Sequence, residues 1–161
     1  MFSINVSDLH WMEGLEESKD LCLHGNVIAK IGDETFEYDA TVSSTALYLL
    51  KSLRKDHIIY ESNHMLPCCG FFMIPNADLS EVEICGCSEG IDWSVHHEGD
   101  NVILITESKK VTKIPYNDYK NTVFVFADKI EDFYNKSKPK TVPKDEKGYI
   151  AFWNEWKSIR Y

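Results

Sequence analysis

A chain of 161 residues with 43% hydrophobic and 27% charged side chains can bury a full core without disulfide staples and is far from a disordered composition. Its 26 acidic residues outnumber 17 basic ones, and the net charge of −9 disfavours nucleic acid, whose phosphates are neutralised by lysine and arginine. The N-terminal residues 1–8 contain no leader-like segment, and the apolar runs at 68–75 and 123–127 are too short to span a bilayer. The expected location is the cytoplasm, with no membrane partner, where five cysteines stay reduced.

Residues 2–6 alternate apolar and polar side chains, the period of a strand. Residues 21–31 read as a second strand, bent or bulged at Gly25. Gly32-Asp33-Glu34 then supplies turn chemistry for a hairpin return over residues 35–38. Ser43 or Ser44 can cap a first helix. Ala46, Leu49, Leu50 and Leu53 share one face of it, and it is expected to end near Asp56. Residues 57–70 read as irregular, with Pro67 and Gly70 as breakers. Strands are expected at 71–74, 81–85, 91–97, 102–106 and 111–114. The last three form an antiparallel meander, because their connectors are too short for a crossover. Pro115 opens a long helix whose stripe Tyr119, Val123, Phe126, Ile130 and Phe133 packs on the sheet. Pro139 and Pro143 set an extended linker over 137–144. A final helix over 145–160, capped near Asp145, places Tyr149, Phe152, Trp153 and Trp156 on one face. The expected class is α+β: an antiparallel meander, one helix in the N-terminal half and two C-terminal helices packed on the sheet, in a single domain of residues 1–161.

Charge is unevenly distributed along the chain. Between Asp56 and Ser108 there is no lysine or arginine, yet the window holds ten carboxylates, four of the six histidines and four of the five cysteines. Concentrated negative potential steers and selects cationic partners. The residues expected to form such a surface are Glu61, Glu81, Glu83, Glu89, Glu98 and Asp100. Strand alternation puts Glu81 and Glu83 on one face, opposite Val82 and Ile84. Trp11 is the candidate apolar hot spot. The plainer alternatives are carboxylates that only solubilise the chain and a Trp11 folded over a sheet edge.

Cysteine and histidine make the other constellation. Cys22 and His24, two apart in one expected strand, would share a face. Zinc takes about four soft ligands, so Cys22, His24, Cys68, Cys69 and Cys87 are candidate ligands for it. The spacings match no zinc finger, and free cysteine is commonly a small buried apolar side chain. A nucleophilic Cys68 or Cys69, served by His64, His96 or His97, is opposed by the surrounding carboxylates, which raise a thiol pKa. The cysteines are therefore expected to be structural. His96 and His97 should point to opposite strand faces, so at most one serves any site. Trp93, between Ile91 and Val95 on one face, reads as core. No phosphate loop, G-x-G-x-x-G, H-E-x-x-H or G-x-S-x-G is present, and no catalytic residue is assigned.

Several segments resemble a family of small bacterial proteins, chiefly from Gram-positive species. They are Leu21-Cys22-Leu23-His24-Gly25, Thr41-Val42-Ser43 with Ala46-Leu47-Tyr48-Leu49-Leu50, Leu66-Pro67-Cys68-Cys69-Gly70, Gly90-Ile91-Asp92-Trp93, His97-Glu98-Gly99-Asp100 and Gly148-Tyr149-Ile150-Ala151-Phe152-Trp153. The resemblance spans most of the chain, brings no assigned catalytic residue, and implies a role like that of acidic toxin-immunity proteins. The leading expectation is a small acidic binding protein that occludes a basic toxin domain. The alternative is a zinc-binding domain or metal-dependent enzyme built on the Cys/His set.

Overall fold

The computed structural model describes residues 1–60, 63–70, 72–141 and 146–161. Its first sheet is antiparallel, with β1 (Phe2–His10), β2 (His24–Ile31) and β3 (Glu34–Thr41) in that order. Period-two alternation drives it: Phe2, Ile4, Val27, Ala29 and Ile31 are buried while their neighbours face outward. The irregularity expected at Gly25 lies in the partner strand, where the register shifts between Ser7 and His10 and Asp8 adopts a φ of 52°. β2 begins only at His24, so Cys22 lies outside it and does not share a strand face with His24.

The first helix, α1 (Val42–Lys51), differs from the one-faced helix expected. Eight of its ten residues are buried, so it is covered on every side. Its cap differs too: Thr41 occupies the N-cap position without a side-chain cap bond, and the Ser43 hydroxyl accepts the Leu23 N–H at 3.1 Å. Turns follow from Ser52, so regular helix stops before Asp56. The covers of α1 include β2, β3, β4 (Leu66–Pro67) and both later helices.

Beyond α1 the strands form three further antiparallel pieces. β5 (Phe72–Pro75) pairs with β6 (Val82–Cys85), and β4 pairs with β7 (Gly90–Ile91). The expected meander is present as β8 (Trp93–Glu98), β9 (Asn101–Thr106) and β10 (Val111–Pro115). One expected strand over 91–97 is split at Asp92, a buried carboxylate that accepts the Met65 N–H at 3.0 Å and lies 2.8 Å from the His57 ring. Trp93 is fully buried, 6.3 Å from Phe2 and 6.5 Å from Phe36, so it joins the two three-stranded sheets as core. The segment after α1 is tied in as well, since His57 bridges Val95.

The two C-terminal helices follow their apolar stripes. In α2 (Tyr116–Lys136), Tyr119, Val123, Phe126 and Ile130 are buried as expected. The stripe ends on Tyr134, whose hydroxyl donates to the Leu21 carbonyl at 2.6 Å, while Phe133 is half-buried. In α3 (Glu146–Arg160), Phe152 and Trp156 are buried and Tyr149 and Trp153 partly so. The cap expected near Asp145 lies outside the described residues. The class is α+β, with one early helix and two late ones.

Glu155 on α3 fastens three elements together. Its buried carboxylate accepts the Val82 N–H at 2.9 Å and pairs with Lys51 of α1 at 3.1 Å, while Lys51 also donates to the Val82 carbonyl at 2.8 Å. Gly148 lets α3 approach β5 so closely that a Cβ there would overlap the Met73 carbonyl. Removing the carboxylate leaves the half-buried Lys51 ammonium with the Val82 carbonyl but without its counter-ion, and leaves the buried Val82 N–H unpaired. Glu155→Ala should therefore lower unfolding free energy by roughly 2–4 kcal/mol in urea titrations. Glu155→Gln, which keeps an acceptor for Val82, should lose less. Equal and negligible losses would show that the contact is incidental.

Candidate functional site

The β5–β6 ribbon presents two unlike faces. Met73, Val82 and Ile84 point inward and are buried. Cross-strand partners Ile74 and Glu83, and Phe72 and Cys85, share the outer face. Phe72 is 66% exposed and Ile74 52%, a marked outward display for large apolar side chains. Glu81 and Glu83 are exposed and alternate with the buried Val82 and Ile84, as strand geometry requires. Among the described residues Glu83 makes no ion pair, whereas Glu81 lies 3.5 Å from Lys55.

At the end of this ribbon two loops meet and bring three thiols together. Cys68 and Cys69 follow β4, and Cys87 follows β6. The Cys87 N–H donates to the Cys69 sulfur at 2.9 Å, and the Cys68 N–H donates to the Glu89 carbonyl at 3.0 Å. Gly86 lies so close to the Cys69 carbonyl that a Cβ would overlap it. Cys68 and Cys87 are exposed and Cys69 is buried. Carboxylates do not set every thiol. Hydrogen bonds from the Cys69 side chain, the Glu89 backbone and the Cys68 side chain hold the Cys87 thiol below its usual range. Cys68 is pushed up by its hydrogen bond with Cys87, and Cys69 chiefly by burial.

The five candidate zinc ligands are not assembled. Cys22 directs its sulfur to the Gly70 carbonyl at 2.9 Å, and the His24 ring stacks on His10 at 5.9 Å. Among the described residues no group of three or more His, Cys, Asp or Glu side chains is placed to hold a metal ion.

The acidic window is also dispersed by the fold. Glu89 is exposed beside the thiols, while Glu98 and Asp100 flank the β8–β9 turn, where Glu98 pairs with Lys113 at 2.6 Å. Glu61 lies outside the described residues. Trp11 is engaged within the chain: its N–H donates to Ser137 at 3.1 Å, Tyr134 packs edge-on at 4.9 Å, and Lys140 sits 3.1 Å above its ring. It clasps the segment after α2 against the end of β1.

His96 and His97 depart from strict alternation in what they reach. Asp56 lies at the open edge of β8, where its carboxylate meets His97 at 2.7 Å and His96 at 3.3 Å, so one acceptor serves both rings. The His97 side chain, then the His97 backbone N–H and the His96 ring, hold the Asp56 carboxyl below its ordinary range. Sequence alternation could not reveal this, because the partner arrives from outside the strand.

No protein-family model, curated protein or solved structure matches the chain. No described helix is long and apolar enough to cross a membrane.

His24 adds a pH dependence close to the thiol-bearing segment. Its Nε2 is buried without a hydrogen-bond partner, and burial lowers its pKa below the ordinary 6.5. The folded state thus binds fewer protons here than the unfolded chain. The contribution is fully present above about pH 6.5 and is lost as pH falls through the lower folded value. Urea midpoints measured from pH 7.5 down to 5 should fall more steeply for the native chain than for His24→Phe, which keeps the ring stack. Parallel profiles would remove His24 as the cause.

Proposed function

We propose that the chain is a non-enzymatic binding protein that occludes a cationic protein partner, in the manner of an immunity protein covering a basic toxin domain. The observation that carries the reading is the outer face of the β5–β6 ribbon, where Phe72 and Ile74 project beside Glu83 and Glu81. Exposed large apolar side chains ringed by one sign of charge are the composition of an interface centre with a steering rim. The ribbon is held from behind by Glu155 and by the Gly148 contact, so the face is preorganised and little ordering accompanies binding.

The carboxylates define the partner's chemistry. Glu83 is free of ion pairs among the described residues, and the exposed Lys55–Glu81 pair is of a kind worth about 0–1 kcal/mol. A lysine or arginine from a partner can displace Lys55 at little cost. The occupant is therefore a basic surface with an apolar centre, and phosphate-rich ligands are repelled.

The test uses purified basic proteins encoded beside this chain, with binding followed by surface plasmon resonance. Glu81→Lys with Glu83→Lys should slow association about tenfold at low ionic strength, and salt should slow the native association more than dissociation, because screening acts over about 8 Å at physiological salt. Phe72→Ser with Ile74→Ser should act mainly on dissociation. Rates unchanged by both double variants, with a partner that binds the native chain, would place the interface elsewhere.

A further inference from the structure

We propose that Cys68 and Cys87 form a reversible dithiol–disulfide site, closed by exchange with a low-molecular-weight disulfide. The inference does not depend on the docking face, since it rests on the junction of the loops after β4 and β6. Three features single out this pair among the five cysteines. Both thiols are exposed, as a thiol that meets a soluble disulfide must be. Their side chains lie near enough to perturb each other's ionisation, an influence Cys87 shares with the buried Cys69. Their backbones are held on neighbouring segments by the Cys68–Glu89 bond, the Cys87–Cys69 bond and the antiparallel pairing of Leu66-Pro67 with Gly90-Ile91.

Close approach is built into the junction. Gly86, immediately before Cys87, rests against the Cys69 carbonyl in a space that admits no Cβ. A disulfide requires Cβ atoms about 3.8 Å apart, so only loops in backbone contact can be bridged without rearrangement. Cys69, buried and bonded through its sulfur to the Cys87 N–H, acts as a positioning residue that fixes Cys87 toward the open side. Cys22 is committed to the Gly70 carbonyl, and Cys85 is paired across the ribbon with Phe72.

The exchange balances as follows. The Cys87 thiolate attacks one sulfur of the small disulfide RSSR, forming a protein–SR bond and releasing RS⁻, which takes up a proton. Cys68 then loses its proton and attacks the Cys87 sulfur of the mixed disulfide, releasing the second RS⁻. Two protein thiols are oxidised, and one RSSR is reduced to two RSH. The new bond ties the loop after β4 to the loop after β6, two residues beyond the Cys85 that stands opposite Phe72.

Oxidised glutathione serves as the probe on the purified, fully reduced chain. Intact-mass spectrometry should show loss of two hydrogens, peptide mapping should place the bridge at Cys68–Cys87, and dithiothreitol should reverse it. The double variant Cys22→Ser, Cys85→Ser should still close the bridge. Cys87→Ser and Cys68→Ser should each abolish it and accumulate at most one glutathione adduct. Gly86→Ala keeps every sulfur but forces the loops apart, and it should slow bridge formation at least tenfold while circular dichroism reports a folded chain. Thiols that stay free, stable glutathione adducts on the native chain without an internal bridge, a bridge at any other pair, or an unaffected rate in a folded Gly86→Ala chain would each overturn the proposal.

Discussion

Complete burial of α1 is the constraint on which the other elements depend. A helix covered on all sides cannot leave hydroxyls or helix-end amides unpaired without penalty, yet α1 opens with Ser43, Ser44 and Thr45. The fold resolves this with partners both near and distant in sequence. Ser43 accepts from Leu23, Thr45 donates back to the Thr41 carbonyl, and Thr41 reaches the Cys68 carbonyl at 3.2 Å. At the other end Ser52 donates to Leu49 and meets the Tyr119 hydroxyl at 2.8 Å. Ser44 alone among these has no partner, and it is packed against Gly70. These bonds bring the segment before β2, the thiol loop and α2 against the same rod, and Glu34 of β3, accepting from Thr106 of β9 at 2.6 Å, links the two three-stranded sheets directly.

Charge segregation along the chain does not survive in space. Residues 56–108 carry no lysine or arginine, but the fold returns Lys55 and Lys113 from the flanks to Glu81 and Glu98, while Lys51 and Glu155, both flank residues, pair with each other. Of these only the Lys51–Glu155 pair is substantially withdrawn from water, and only there does the electrostatics bear strongly on stability. The exposed pairs screen the acidic field without abolishing it. Among the described residues Glu83 is left without an ion pair, and it stands across the ribbon from the exposed Ile74. The surface is better described as apolar anchors with an acidic edge than as an acidic patch.

Periodicity made most elements legible in the sequence. The meander of β8, β9 and β10, the α2 stripe through Ile130 and the outward Glu81 and Glu83 all follow from spacings of two or 3.6 residues, which are local properties. What failed depends on distant segments. The sequence showed one apolar face and a serine cap for α1, but not that its polar positions are buried, because their partners are the Leu23 N–H, 20 residues away, and the Thr41 carbonyl on the preceding turn. Asp92 interrupts an otherwise continuous strand because His57 and the Met65 amide converge on it. The thiol junction was half visible: Cys68, Cys69 and Cys87 stood out by residue type, but the sequence could not separate them from Cys22 and His24. That separation comes from β2 starting at His24 and from Gly70 capturing the Cys22 sulfur.

A two-stranded ribbon is marginal by itself, so the face proposed for binding on β5–β6 requires support from behind. The support is specific at several points. Val82 is bonded through both its N–H and its carbonyl, the Tyr48 hydroxyl donates to the Ile84 carbonyl at 2.9 Å, and Gly148 seats α3 on Met73. Each contact engages the inner face or the backbone, which leaves the outer positions free of structural duty. That division explains how Phe72 and Ile74 can remain exposed while Met73 between them is buried. The same period-two alternation runs down β6 from Glu83 to Cys85, and the chain then turns at Gly86 into the thiol junction. Anchoring at Val82 and loop contact at Gly86 therefore bracket the outer face at its two ends, so a covalent change at the second end acts on a ribbon already immobilised at the first.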